Sequence, residues 1–242
     1  MQLIITDNYE SLSARAADFI AEDLRRCPDL LLCAASGSTP TGTYDRLAAK
    51  LREAPDLCAR LRLIKLDEWG GLAMDDAATC EVYIQRHVVK PLRVAAKRYI
   101  SFDSLPEDAA FECARVQREL EKAGPMGLCI LGLGVNGHLA LNEPAERLQP
   151  FAHVAQLTEA SLQHSMLEKT MGRCKYGLSL GMADILQSRK ILLLVSGEHK
   201  SSQVARLWER EVSTQFPASF LWLHPDVTCL CDRDAAARIA DN

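Results

Sequence analysis

Short apolar segments without polar alternation recur along the whole chain, and this pattern constrains the fold more than any other feature of the sequence. We expect strands at residues 3–6, 30–36, 61–66, 98–102, 127–132, 153–157, 191–196 and 219–224. A strand that lacks a polar face is typical of a parallel sheet that is covered on both sides.

The segments between the expected strands have helical periodicity. Leu12, Ala16, Phe19 and Ile20 fall at i, i+4, i+7 and i+8, and apolar residues at 109, 113, 116 and 120 fall at i, i+4, i+7 and i+11. Strands that alternate with helices predict an α/β fold with a single doubly wound, mostly parallel sheet and helices on both faces, similar to a Rossmann fold. Without an internal repeat or linker, we expect one domain over residues 1–242.

Composition and charge exclude several classes of function. With 48% hydrophobic and 25% charged residues and a net charge of −4, the chain has an ordinary globular profile, without a basic cluster for nucleic acid. No apolar run reaches membrane-spanning length, and no basic flank marks a signal peptide, so we expect a cytoplasmic protein without a membrane partner.

The nine cysteines are scattered through apolar segments, which favours buried thiols in a reducing compartment. Cys229 and Cys231 form a C-x-C pair on a further segment that is typical of a strand, where both side chains face one way. No second pair has zinc-like spacing, so no metal site is expected.

In a doubly wound sheet the ligand binds beyond the carboxyl ends of the strands, so chemistry is expected in the loops that follow them. After the second expected strand the chain reads Ser36, Gly37, Ser38 and Thr39, and Pro40 lies in the first turn of the next helix. Small hydroxyl residues at a helix N-terminus suit a phosphate group. An ordinary strand-to-helix turn is the alternative, because the loop lacks the lysine of a Walker motif.

Two adjacent carboxylates, Asp67 and Glu68, follow the third expected strand, and Trp69 comes next. A partly desolvated carboxylate there has a raised pKa and can act as a base. A helix cap or an ion pair with a nearby lysine or arginine is the alternative.

The segment LGLGVNGHLALNEP contains a G-x-G-x-x-G pattern at Gly132, Gly134 and Gly137. A dinucleotide site needs a helix that begins near the third glycine, but Pro144 comes only seven residues after Gly137. We therefore expect no nicotinamide or flavin cofactor. The glycines, Gly137 included, are expected to let a ligand approach the backbone.

Four polar residues lie within the same loop: Asn136, His138, Asn142 and Glu143. A histidine and a nearby carboxylate can form an oriented acid/base pair, because the carboxylate fixes the imidazole tautomer. A histidine that is satisfied by loop carbonyls is the alternative.

Taken together, SGSTP, LDEW and GVNGHLALNEP, in this order, resemble the motifs of the glucosamine-6-phosphate deaminase family of sugar-phosphate isomerases, whose wider superfamily includes 6-phosphogluconolactonase. The resemblance implies cofactor-free conversion of an aminosugar 6-phosphate into a ketose 6-phosphate and ammonia. It implies that Asp67 is the base and that His138, supported by Glu143, opens the ring. It also implies that Ser38, Thr39 and Lys200 bind the phosphate.

The sequence departs from the family pattern in three respects. Asn136 stands where the commonest deaminases have aspartate, so we expect it to hold the imidazole by a hydrogen bond but to stabilise its charge less well. The phosphate-binding arginine of the family has no clear counterpart, and Arg173 or Lys175 is expected to replace it. His153 and Ala155 occupy positions that are basic in allosterically activated relatives, which argues against an activator site.

Within the family, KLDEW, the NGHL-x-LNEP loop, LQP and the ending VST…PASFLWLH are most similar to the galactosamine-6-phosphate branch, which implies tagatose 6-phosphate as the product. A glucosamine-6-phosphate deaminase and a 6-phosphogluconolactonase-like hydrolase are the alternative enzymes. A sugar-phosphate sensor is the non-enzymatic alternative. The expected partner is a small aminosugar phosphate, bound by a monomer or a small homo-oligomer.

Overall fold

The computed structural model describes residues 1–239, so the last three residues of the expected domain lie outside the described part. The strands are β1 (Gln2–Thr6), β2 (Leu31–Ala34), β3 (Arg62–Lys65), β4 (Asp67–Gly70), β5 (Tyr99–Ile100), β6 (Leu128–Gly132), β7 (His153–Ala155), β8 (Tyr176–Ser179), β9 (Ile191–Val195) and β10 (Val227–Asp232). The α-helices are α1 (Tyr9–Arg26), α2 (Ser38–Lys50), α3 (Cys80–Ile84), α4 (Ala109–Ala123), α5 (Glu159–Leu162), α6 (Met182–Leu186), α7 (Ser201–Trp208) and α8 (Arg233–Ala236).

Seven of the strands form one sheet in the order β1-β10-β9-β6-β2-β3-β5. All neighbours in this sheet run parallel, which confirms the expected doubly wound α/β fold. From β2 the chain moves outward to β3 and β5, and from β6 it moves in the opposite direction to β9 and β10. The topological switch point therefore lies between β2 and β6, where a crevice opens beyond the carboxyl ends of the strands.

Alternate residues of the central strands feed two separate cores. In β2, Leu31 and Cys33 pack with one core, which includes residues of α4. Leu32 and Ala34 pack with the other core, which includes residues of α1 and α2. This arrangement explains why the central strands lack polar alternation, since neither face of the sheet meets water.

A second, three-stranded antiparallel sheet in the order β4-β8-β7 was not expected from the sequence. Only Leu66 separates the end of β3 from the start of β4, so the chain passes directly from one sheet into the other. The expected strand at 153–157 belongs to this smaller sheet as β7. The small sheet places Asp67 at the boundary between the two sheets.

The expected strand at 219–224 is wrong, because Pro217–Leu223 is a 3-10 helix. Proline suits the first turn of a helix, and buried Ala218 and Leu221 have helical spacing. The last strand of the sheet is β10 instead, and it carries the C-x-C pair. The Cys229 and Cys231 sulfurs lie 3.4 Å apart on one face, as expected.

Eight of the nine cysteines are buried, and Cys27 is partly exposed. Within residues 1–239, no helix is both long and apolar enough to cross a membrane.

Candidate active site

A cavity of about 460 Å³ lies beyond the carboxyl ends of β2 and β6, at the switch point of the sheet. Its walls come from the loops after β2, β3, β6 and β9 and from the segment around α5. The lining residues are Ala35, Ser36, Gly37, Ser38, Thr39, Pro40, Leu66, Asp67, Trp69, Gly132, Leu133, Gly134, Val135, His138, Ala140, Leu141, Ser161, Gln163, His164, Ser165, His199 and Lys200. Three expected motifs therefore meet in one cavity.

One wall of the cavity is the N-terminus of α2. Gly37 precedes this helix with a φ of 115°, a conformation that suits glycine. The Gly37 carbonyl accepts hydrogen bonds from the hydroxyls of Thr41 at 2.9 Å and Tyr83 at 2.8 Å, which fixes the turn. The first-turn N–H groups and the positive end of the helix dipole suit an anion at this wall.

Lys200 adds a cation to the cavity. It ends the 3-10 turn Glu198–Lys200, which follows β9 and leads into α7. Burial lowers the pKa of Lys200 to about 8. An ammonium group that has lost part of its hydration gains more from a bound anion than an exposed lysine does.

Asp67 is the first residue of β4 and lines the same cavity. Burial raises its pKa to about 7, and the nearby Glu68 carboxylate adds to the effect. Electrostatic interactions with His138 and Lys65 oppose this shift without cancelling it. A carboxyl group with a pKa near neutrality can both accept and return a proton.

Glu68, in contrast, is fully buried and its carboxylate is occupied by the protein itself. It pairs with Lys65 Nζ at 2.6 Å and accepts hydrogen bonds from the backbone N–H groups of Trp69 at 2.7 Å, Cys80 at 2.7 Å and Glu81 at 2.8 Å. Both alternatives weighed for this loop, a helix cap and an ion pair, therefore apply to Glu68. The bonds fix the start of β4 and thus the position of Asp67.

His138 lines the cavity, and its Nδ1 lies 3.3 Å from Glu143 Oε2. Asn136 Nδ2 donates to the same carboxylate oxygen at 2.8 Å, and the Ser161 hydroxyl donates to Glu143 Oε1. Burial raises the pKa of Glu143, but the contacts with His138, Ser161 and Asn136 outweigh it and lower the pKa to about 2. Glu143 therefore stays ionised near neutral pH, behind the imidazole.

Two glycines of this loop, Gly134 and Gly137, make room for side chains of the protein, whereas a Cβ on Gly132 would meet nothing within 4 Å. A Cβ on Gly134 would lie 2.3 Å from the His138 ring, and a Cβ on Gly137 would lie 2.1 Å from the Phe216 ring. Gly137 also has a φ of +87°, and its carbonyl accepts a hydrogen bond from Ala218 N. Gly132 and Gly134 line the cavity, whereas Gly137 packs behind it.

Comparison with known proteins agrees with this site. The family described as glucosamine-6-phosphate isomerases/6-phosphogluconolactonase matches residues 7–229. The chain belongs to this family. The expectation that it is an enzyme of this family, drawn from three ordered motifs, is confirmed.

Individual members of the family are similar to the chain over nearly its full length. "Putative deaminase AgaI" of Escherichia coli (strain K12) is 44% identical, over 93% of this chain and 89% of that protein. Glucosamine-6-phosphate deaminase of Thermoanaerobacter pseudethanolicus is 31% identical, over 100% of this chain and 96% of its own length. A solved monomeric glucosamine-6-phosphate deaminase is 33% identical with a TM-score of 0.94, covering 98% of this chain and 99% of its own.

Against this family background, seven of the expected site residues line the cavity. They are Ser36, Gly37, Ser38, Thr39, Asp67, His138 and Lys200. Glu143 lies behind His138. Asn136 contacts Glu143 and the backbone N–H of His138, at 3.2 Å, rather than the imidazole that it was expected to hold.

The two candidates for the missing family arginine do not line the cavity. Arg173 pairs with Asp76 at 2.7 Å, and Lys175 Nζ donates to the Gly172 carbonyl at 3.2 Å. The replacement expected at these positions is therefore not supported by their place in the fold.

Sequence reasoning missed a group of cavity residues from α5 and the turn after it: Ser161, Gln163, His164 and Ser165. They lie between β7 and β8, in a segment that folds back over the cavity. This segment has no glycine-rich motif and does not directly follow a strand of the central sheet, so no local pattern ties it to the site. His199 was also missed, although it adjoins Lys200.

Proposed function

We propose that this enzyme is an aminosugar-6-phosphate deaminase that converts galactosamine 6-phosphate and water into tagatose 6-phosphate and ammonia. One observation carries the proposal. The base Asp67 and the histidine of the His138–Glu143 pair line the same cavity as the α2 N-terminus and Lys200, which suit an anion. The cavity thus combines a group for moving a carbon-bound proton with a group for opening a sugar ring.

The phosphate occupies the wall formed by Ser38, Thr39 and Lys200. The helix dipole, the hydroxyls and the ammonium group supply complementary charge and hydrogen bonds there. With the phosphate held at this wall, the sugar extends toward Asp67 and His138, which brings C1 and C2 to the acid/base groups. Binding energy from the phosphate then orients the reacting carbons.

Ring opening is the role of His138. The imidazole takes the proton of the C1 hydroxyl and returns a proton to the ring oxygen, so that the bond between C1 and the ring oxygen breaks and an aldehyde forms. The Glu143 anion, 3.3 Å from Nδ1, stabilises the charged imidazolium that exists between these two transfers.

Asp67 then transfers a proton between carbons. It removes the proton from C2, the electron pair forms a C1–C2 double bond, and the aldehyde oxygen takes a proton to become a hydroxyl. When Asp67 returns its proton to C1, the nitrogen electron pair forms a C2–N double bond. Water adds to C2 and ammonia leaves, so the products are a ketose 6-phosphate and ammonia.

The choice of galactosamine rests on the sequence patterns of that branch, notably LDEW and the Asn136 form of the glycine loop. Glucosamine 6-phosphate is the second candidate, favoured by relatives that carry that name. The likeness to a monomeric deaminase supports action as a monomer or a small homo-oligomer.

The test is to incubate the purified chain with each aminosugar 6-phosphate and to measure ammonia and ketose phosphate. We expect both products in equal amounts, with a higher kcat/KM for galactosamine 6-phosphate. A higher kcat/KM for glucosamine 6-phosphate would identify that sugar as the preferred substrate instead. Hydrolysis of 6-phosphogluconolactone without ammonia release from either aminosugar would refute the deaminase.

The phosphate assignment has its own test. We expect Lys200→Gln to raise KM at least about tenfold, because a charge-assisted contact of a partly buried ammonium group is lost, and free galactosamine to be a poor substrate. Lys122→Gln is the matched control, since this exposed lysine lies on α4, outside the cavity. A KM for Lys200→Gln equal to that of the control would contradict the assignment.

A further inference from the structure

His164 is a cavity residue that neither the sequence motifs nor the proposed proton transfers use. It belongs to the segment between α5 and the 3-10 turn Ser165–Leu167, and it lines the cavity. Its ring lies against the Trp69 indole, with centroids 5.6 Å apart and planes tilted by 43°. Trp69 in turn lies two residues after Asp67 on β4, so the two side chains point to the same side of the strand.

His164 lines the same cavity as His138 and Lys200. Burial lowers its pKa, and the electrostatic effects of His138 and Lys200 lower it further. His138 marks the reacting end, where C1 and C2 of the sugar lie, and Lys200 marks the phosphate end. A hexose phosphate that spans these ends presents its middle carbons to His164.

The hydrogen-bonding state of His164 is defined by the backbone. The N–H of Met166 donates to His164 Nδ1 at 3.2 Å, so Nδ1 is an acceptor and the neutral ring carries its proton on Nε2. Within residues 1–239, no protein group hydrogen-bonds to Nε2. The ring therefore offers one N–H donor, in one direction, to a ligand.

We propose that His164 Nε2 donates a hydrogen bond to the C4 hydroxyl of the aminosugar and thereby sets the preference between the two C4 epimers. This inference rests on the proposed function. Galactosamine 6-phosphate and glucosamine 6-phosphate differ only in the configuration at C4. The hydrogen bond from Met166 N–H and the packing against Trp69 fix the orientation of the ring, so Nε2 can donate to the C4 hydroxyl in only one of its two configurations. Sites built to bond a hydroxyl discriminate strongly against a ligand that cannot supply it.

The experiment compares kcat/KM for both epimers in the unmodified chain, in His164→Phe and in His164→Gln. Phenylalanine keeps a ring against Trp69 but has no donor, whereas glutamine restores an N–H close to the position of Nε2. We expect His164→Phe to lower kcat/KM for galactosamine 6-phosphate about tenfold or more, with a change below about threefold for glucosamine 6-phosphate. His164→Gln should recover part of the lost ratio.

A 4-deoxy analogue of galactosamine 6-phosphate gives a second measurement. In the unmodified chain, kcat/KM for the analogue should be about tenfold lower than for the parent substrate. In His164→Phe the two values should be equal. His153→Phe is the matched control, because His153 lies on β7 and does not line the cavity. It should leave both ratios unchanged.

Inhibition by inorganic phosphate separates the C4 hydroxyl from the phosphate as the partner of His164. If His164→Phe lowers turnover of both epimers equally and weakens inhibition by phosphate, the ring contacts the phosphate and this inference is overturned. An epimer ratio that His164→Phe leaves unchanged, in an active enzyme, also overturns it while the deaminase stands. No ammonia from either epimer with the unmodified chain overturns the proposed function and this inference with it.

Discussion

Two carboxylates serve one cavity, and their surroundings move their pKa values in opposite directions. At the start of β4, burial and the neighbouring Glu68 carboxylate raise the pKa of Asp67 to about 7. In the loop after β6, Glu143 is also buried, but contacts with His138, Ser161 and Asn136 lower its pKa to about 2. Burial raises the pKa of both groups, so the neighbouring charges and hydrogen-bond partners account for the opposite directions.

This contrast assigns the two groups different tasks. A carboxyl group that is half ionised near neutral pH suits proton transfer to and from carbon, whereas a carboxylate that stays ionised suits a fixed partner for an imidazolium. The two environments also differ in their effect on folding. The Asp67 environment disfavours the charged native group, and the Glu143 environment favours it.

Asp67→Asn should give the largest loss of activity. Without a base, we expect ammonia release to fall by about 10³-fold or more, since general base catalysis contributes about 10² to 10⁴. The measurement is kcat with saturating substrate. Near-normal turnover would show that another group removes the C2 proton.

The same variant should unfold less readily than the unmodified chain at pH 8. The native pKa of Asp67 lies above the value of 3.8 for a free aspartate, so the native state binds more protons between pH 4 and 7 and loses stability as the pH rises. Asp67→Asn removes this loss, with a gain of at most about 4 kcal/mol in the free energy of unfolding. Urea titrations should show the gain at pH 8 and little of it near pH 4.

Glu143→Gln should have the opposite effect on stability and a smaller effect on activity. We expect kcat to fall about 10²-fold, because the imidazolium loses its anionic partner. The native pKa of Glu143 is below 4.5, so its carboxylate contributes stability above that pH, and this is lost as the pH falls toward 2. At pH 7 the variant should lose about 1 to 3 kcal/mol. A gain in stability would contradict the contrast between the two carboxylates.

The sequence was enough to predict the central sheet, because its buried parallel strands are continuous apolar runs. It was not enough for β4 and β8, whose segments DEWG and YGLS are short and contain glycine or charge. Residues 219–224 were mistaken for a strand because an apolar run of that length fits a strand or a buried helix equally well. Helical spacing of Ala218 and Leu221 becomes decisive only when burial is known.

In the site, too, residues that local sequence patterns mark could be predicted, and residues that only the tertiary fold brings to the cavity could not. Asp67, His138 and the Ser36–Thr39 loop could be predicted because each follows a strand whose carboxyl end must face the crevice. Ser161 and His164 could not, because only the return of the chain between β7 and β8 brings them to the cavity. The role of Glu68 was also open, since its bonds to Lys65 and to the start of α3 depend on tertiary packing.

The pH dependence of activity measures the Asp67 environment in the working enzyme. Below pH 7 we expect kcat/KM to fall about tenfold per unit, because only ionised Asp67 accepts a proton. Above pH 8 kcat/KM should fall again as Lys200 loses its proton, and Lys200→Gln should remove this decrease at high pH.

The temperature dependence of the profile identifies the group that titrates near pH 7. A carboxyl group ionises with little heat, so the lower midpoint of the pH profile should shift little with temperature. A marked shift would assign it to an imidazole instead.

Ser161→Ala should give the smallest loss of kcat, and it tests how much a single hydrogen bond to the Glu143 carboxylate contributes. The hydroxyl donates to Glu143 Oε1, while Asn136 and His138 contact Oε2, so its loss leaves the carboxylate in place but raises its pKa. One lost hydrogen bond to a charged group predicts a fall in kcat of about three- to tenfold, without a shift of the lower pH midpoint. Ser188→Ala is the matched control, because this buried serine bonds to the Ile185 carbonyl and does not line the cavity. A shift of the lower midpoint in Ser161→Ala alone would mean that the two carboxylates titrate as one coupled system rather than as two separate environments.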